Sequence, residues 1–180
     1  MILTYKECKK KFKTDYEIRK HLASGQLRRI RRGVYSDESY ESDLAVICRA
    51  YPHAVFTMNS AFYYHGLTDT IPRAYYLATD KDASKIKDEK IKQVFDNNNS
   101  LLLGQEKINY NGTEICIFSR ERMLVELIRN KNKLPFDYYK EIISSYRRLI
   151  HELDIQAVQE YAIQLPKSKM VMETLRLEVF

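Results

Sequence analysis

The sequence predicts an α+β protein with a small basic N-terminal module, a small mixed sheet with helices, and an all-helical C-terminal tail. Three observations predict it. Residues 1–35 carry 11 Lys/Arg against 3 Asp/Glu, a net +8, whereas residues 36–180 carry 19 against 21, a net −2. Apolar residues in the middle of the chain come in short runs bounded by Gly, Pro and Asn, as strands do, and from Ser119 onward they recur with a period of 3.6. At 44% hydrophobic residues with only 5 Gly and 4 Pro, the 180-residue chain can bury a core and is neither collagen-like nor linker-like.

The first helix is predicted over Tyr5–Phe12 and the second over Asp15–Ala23. Thr4 is followed by Glu7, and Thr14 by Glu17, each at the spacing of a capping box in which Thr accepts from an orphan N–H and Glu reaches back. Tyr5, Cys8 and Phe12 form the inward face of the first helix, and Tyr16, Ile18 and Leu22 that of the second. Gly25 follows as a helix stop. The run Gln26-Leu-Arg-Arg-Ile-Arg-Arg-Gly-Val-Tyr35 then reads as two strands turning at Arg32-Gly33, where glycine tolerates positive φ. Two short helices followed by an arginine-tipped hairpin describe a winged helix-turn-helix-like module over residues 1–36. The polar stretch Ser36–Ser39 reads as a linker to a body spanning 40–180.

The body is predicted to open with a helix over Leu44–Ala50 and a strand at Val55–Thr57. A helix capped by Asn59 runs through Tyr64, and a second strand covers Ala74–Ala78. Lys81–Lys92 is a charged segment and Asn97–Asn99 a loop. Ile108–Phe118 is a hairpin turning at Asn111-Gly112. Beyond it, Ser119 caps a helix bearing Met123, Leu124, Leu127 and Ile128. Tyr138, Ile142, Tyr146, Leu149, Ile150 and Leu153 line a longer helix, and Ile155, Val158, Ala162 and Leu165 line another. A last helix covers Lys169–Leu177.

Several function classes find no support in the residues. No apolar run approaches the roughly 18 residues of a membrane span, and the first residues lack the apolar core of a secretory signal, so a cytoplasmic protein without a membrane partner is expected. Cys8, Cys48 and Cys116 are too scattered for a disulfide framework or a zinc site. His21, His53, His65 and His151 show no metal-ligand spacing, and no phosphate-binding loop or nucleophile elbow occurs. The expectation is therefore a protein without catalytic residues, metal or cofactor. His65, beside Gly66 at a helix end, reads as a partner for terminal carbonyls.

The basic module points instead to double-stranded DNA. Arg28, Arg29, Arg31 and Arg32 would grip phosphates, which give affinity and register without sequence information. Lys13, Asp15, Tyr16, Arg19 and Lys20, at and after the start of the second helix, would face the major groove. A nuclease-like enzyme carrying a basic targeting module is the alternative, with acid-rich turns at Asp80–Asp82 and Asp88–Glu89 as its metal candidates.

Three segments carry a family resemblance. Gly25-x-Leu27-x-x-x-x-x-Gly33-Val34-Tyr35 resembles the end of the N-terminal domain of AbiEi-type antitoxins. Ser60-Ala61-Phe62-Tyr63-Tyr64-His65-Gly66-Leu67-Thr68-Asp69, with Ile71-Pro72 after it, is similar to that family's S-A-L-x-x-H-G-L-(S/T)-D-x-I-P segment, and Ser119–Ile128 to its later helix. The resemblance implies a transcriptional regulator and antitoxin of a type IV toxin–antitoxin system acting in abortive infection, a phage defence. It implies binding to inverted repeats at the protein's own promoter and a functional link to a nucleotidyltransferase-like toxin. Family members carry a further helix before the segment matching Leu3–Phe12. Here either the body supplies that packing or the module is degenerate and its DNA binding weak.

Overall fold

The computed structural model describes the backbone of residues 1–180 and every side chain except that of residue 98. It is a mixed α+β structure with nine α-helices and two sheets among the described residues. The chain divides into two compact units, Met1–Ala54 with Asn111–Glu114, and Val55–Tyr110 with Ile115–Phe180. No helix is long and apolar enough to cross a membrane among the described residues.

In the first unit the chain runs β1 (Ile2–Thr4), α1 (Tyr5–Phe12), α2 (Asp15–Ala23), β2 (Arg28–Arg31), β3 (Val34–Ser36) and α3 (Asp43–Ala50). The capping box at Thr4 forms in full: Glu7 N donates to Thr4 Oγ1, and Thr4 N donates to Glu7 Oε2 at 2.7 Å. At Thr14 only the first half forms, Glu17 N donating to the hydroxyl at 3.2 Å. The hairpin turns at Gly33, whose φ of 79° is open to glycine and costly for other residues. A bulge between Arg29 and Arg31 shifts its register.

β1 was not predicted. It pairs antiparallel with β3, Leu3 opposite Tyr35, to give a three-stranded sheet of order β1-β3-β2. Leu3, Cys8, Ile18, Leu27 and Tyr35 form the core, with Phe12 and Leu22 packed against it. Tyr16 is not part of it: its side chain is 73% exposed, so the inward face of α2 is Ile18 and Leu22 alone. α3, capped by Ser42 accepting from Ala45 N, buries Val46 and Ile47 and packs on β1 and β3. Ser36 is fully buried, donates to Glu41 Oε1 at 2.6 Å and accepts from Glu38 N at 2.9 Å, so the polar stretch after β3 folds back on itself.

The second unit contains β4 (Val55–Phe56), α4 (Met58–Tyr64), β5 (Tyr75–Asp80), β6 (Ile91–Asp96), α5 (Asn98–Leu102), β7 (Gln105–Tyr110) and β8 (Thr113–Phe118), of which Thr113 and Glu114 fall in the first unit. Four helices follow: α6 (Arg120–Arg129), α7 (Phe136–Arg148), α8 (Ile155–Gln164) and α9 (Ser168–Glu178). The sheet order is β6-β5-β4-β8-β7, antiparallel between β4 and β5 and parallel at β4–β8 and β5–β6. Asn111 and Gly112, at φ 48° and 81°, make the expected hairpin turn.

Three expectations change here. The last two residues of the stretch read as charged, Ile91 and Lys92, open strand β6, and the asparagine run leads into the short helix α5. α4 is preceded by Thr57 rather than Asn59 at its cap, with Met58 at φ 45°. α7 ends at Arg148, so Leu149, Ile150 and Leu153 lie in the turn that leads to α8. α6 is the axis of this unit: all residues from Arg122 to Ile128 are buried, and α4, α8 and α9 pack on it.

Candidate nucleic-acid interface

α1 and α2 are joined by Lys13 and Thr14 alone. Lys13 takes φ 65° and returns its N–H to Lys9 O at 2.9 Å, which stops α1. At 100° per residue, Ile18 and Leu22 share one side of α2, and Tyr16, Arg19, Lys20 and Ala23 share the other. The burial follows that division: the first pair enters the core, while the second set is exposed. The outward stripe thus holds one aromatic ring and two cations and no acid. Asp15, in the same first turn, is occupied elsewhere, accepting from Tyr5 Oη at 2.5 Å and from Lys9 Nζ at 2.8 Å. Those bonds hold its carboxyl below the ordinary range, the Lys9 contact first.

The chain reaches the hairpin directly from α2. Leu27 N donates to His21 O at 3.0 Å, and the Gln26 side chain meets His21 Nδ1 at 2.7 Å. The four arginines differ in circumstance. Arg28 is exposed but donates from Nη2 to Glu38 O at 2.6 Å and to Ser39 O at 2.7 Å, and so binds the polar turn after β3. Arg29 is exposed, with only a long bond of 3.4 Å to Arg31 O. Arg31 is half-buried, and Arg32 stands exposed at the turn. Lys13 in the α1–α2 junction, Tyr16, Arg19 and Lys20 on α2, and Arg29 and Arg32 of the hairpin are therefore exposed side chains, whereas Arg28 and Arg31 are partly engaged by the protein itself.

Acids beyond residue 36 temper the charge of this unit. Counted over Met1–Ala54 and Asn111–Glu114 it holds 12 Lys/Arg and 8 Asp/Glu, a net +4. Asp37 takes the N-terminal ammonium at 2.6 Å and Lys11 at 3.0 Å, which brings its carboxyl down to about 2, the ammonium contact first. Glu7 is paired with Arg49 of α3. The acids thus engage cations of α1 and α3 and leave the stripe on α2 and the tip of the hairpin uncompensated.

In the second unit His65 Nε2 donates to Phe118 O at 2.8 Å, and its buried ring lies 3.8 Å from Glu106 Oε1. The histidine thus bonds the carbonyl of a strand end rather than those of its own helix. Burial depresses its pKa and raises that of Glu106. Among the described residues no three His, Cys, Asp or Glu groups are gathered as a metal site requires. Asp80 and Asp88 each accept from the backbone N–H two residues on, at 2.8 and 2.9 Å, closing local turns. Tyrosines serve packing here: Tyr139 and Tyr146 are buried, and Tyr63, Tyr64 and Tyr110 contact one another ring to ring.

A scan against protein-family models finds no match to this chain, and a search of curated proteins finds none.

Proposed function

We propose that this chain is a DNA-binding antitoxin of the AbiEi type, which represses its own operon and counters a nucleotidyltransferase-like toxin in phage defence. It acts in the cytoplasm by binding, without catalysis or cofactor. In this reading the first unit is a winged helix-turn-helix, α2 is the recognition helix and the β2–β3 hairpin the wing.

One observation carries the reading: the outward stripe of Tyr16, Arg19 and Lys20, opposite the core face of α2, is followed at once by a hairpin that exposes Arg29 on its first strand and Arg32 at its turn. Such a surface has what a DNA duplex requires, a helix that offers side chains to base edges and cations that neutralise flanking phosphates. The topology is compatible with it, since two helices lie in sequence between the outer strands of a β1-β3-β2 sheet. Antitoxin action rests on the resemblance of the Ser60–Asp69 and Ser119–Ile128 segments.

A gel shift with the DNA upstream of the protein's own gene, against a scrambled duplex of equal length, tests the proposal. The expected result is a preference of about 1,000-fold or more for the upstream DNA at physiological salt. Equal binding to both would remove the operator function, and magnesium-dependent cleavage of either duplex would favour the nuclease alternative.

A further inference from the structure

The second unit contains a cleft of about 660 Å³ between the β5–β6 edge of the sheet, the start of α4 and the end of α6. Its volume lies within the roughly 300–1,000 Å³ of small-molecule sites. Apolar and aromatic side chains form its walls, among them Tyr76, Val94 and Phe118.

The charges around it sort into two groups. Asp96 and Glu126 face the cleft but are held from behind by Arg122, whose Nη2 reaches them at 3.1 and 2.8 Å while its guanidinium lies over Phe118. Glu126 also accepts from Arg129 Nη1 at 2.6 Å. These two acids and two arginines cancel. What remains facing the cleft is Lys133, which makes no ion pair, and Lys92, whose Nζ sits 5.3 Å from the centre of the Tyr76 ring. The cleft thus offers two lysine charges without an acidic partner and flat aromatic walls.

We propose that this cleft binds a phosphate ester with a planar body, of the size of a nucleoside monophosphate. A phosphate monoester carries a charge near −2 at neutral pH, matching the pair of lysines, and its oxygens accept in the geometry that arginine and lysine donate. The planar body lies against Tyr76, on the sheet face shared with Lys92. This site is separate from the proposed DNA-binding surface and does not depend on that reading.

The test is calorimetric titration of the full chain with the four ribonucleoside monophosphates, with adenosine and with inorganic phosphate. At least one monophosphate is expected to bind tenfold or more tightly than both adenosine and inorganic phosphate. The double variant Lys92→Ala/Lys133→Ala, altered only at exposed side chains, is expected to lose at least tenfold of that affinity with its melting temperature unchanged. Arg29→Ala/Arg32→Ala, which removes cations from the first unit, should bind the monophosphate as the wild type does. The proposal is overturned if no monophosphate exceeds inorganic phosphate, or if the Lys92/Lys133 variant binds with unchanged affinity.

Discussion

Arg32 and Arg122 put one residue type to opposite uses, and the contrast extends to the units that hold them. Arg32 stands in water at the tip of the first unit's hairpin. Arg122 is wholly buried in the second unit, with both an aspartate and a glutamate on one nitrogen and with Nε and Nη1 unpartnered. Net charges of +4 for the first unit and +2 for the second, from 18 Lys/Arg against 16 Asp/Glu, hardly distinguish them. Placement does. The first unit has a thin core and an outward, uncompensated cationic stripe, suited to a polyanion. The second has a helix buried nearly throughout, whose arginines Arg122 and Arg129 are paired with Asp96 and Glu126 inside the unit.

The largest effect that would sharpen this contrast is expected at the buried arginine. Arg122→Met removes one partner of a buried network and leaves Asp96 and Glu126 facing each other, so a loss of about 3–5 kcal/mol in unfolding free energy is expected. Chemical denaturation measures it. A loss below about 1 kcal/mol would mean that the carboxylates find solvent and that the network holds little together. Next in size is Tyr16→Ala. Its ring is mostly in water, so stability should change by no more than about 0.5 kcal/mol. DNA affinity should fall about tenfold or more, as for loss of a direct contact of about 1–3 kcal/mol. Fluorescence anisotropy with labelled upstream DNA reads the second quantity and thermal melting the first.

The smallest effect separates the units by pH. His65 has a depressed pKa through burial, so the unfolded chain binds a proton before the folded one as pH falls below about 6.5. Its contribution to the second unit is complete above that pH and is lost as pH falls toward the lower folded value. Asp37 and Glu7 in the first unit are also depressed, Asp37 to about 2, so their contributions persist to about pH 4 and disappear below it. Amide exchange at several pH values should show residues around His65 losing protection first and those of α1 and β3 later. Simultaneous loss would contradict the assignment.

The first unit was the more legible of the two, because local chemistry writes it. Threonine–glutamate pairs three apart, Gly25 and Gly33 mark helix ends and a hairpin turn within a few residues of where they act. β1 escaped notice because three residues are too few to show a period, and its pairing with β3 joins positions more than thirty residues apart. The allegiance of α3 was hidden for a related reason. An amphipathic helix declares that it has an inward face and not which sheet receives it. An aromatic beside Ile18 fits the apolar count of an inward face, but the angular position of Tyr16 on α2 sets it opposite, in water. β6 was masked by lysines that flank and interrupt it. The cleft left no trace in the sequence, since its walls come from segments spread between Thr57 and Pro135 that only the sheet order brings together.

The salt dependence of DNA binding tests the central claim most directly. The logarithm of affinity for the upstream DNA, plotted against the logarithm of salt concentration, has a slope of about −0.9 for each phosphate neutralised. Comparison of the wild type with Arg29→Ala/Arg32→Ala is expected to show weaker binding to every sequence and a slope shallower by up to about 1.8. An unchanged affinity and slope would contradict a wing on the phosphates and, with it, the reading of the first unit as the DNA-binding part of the molecule.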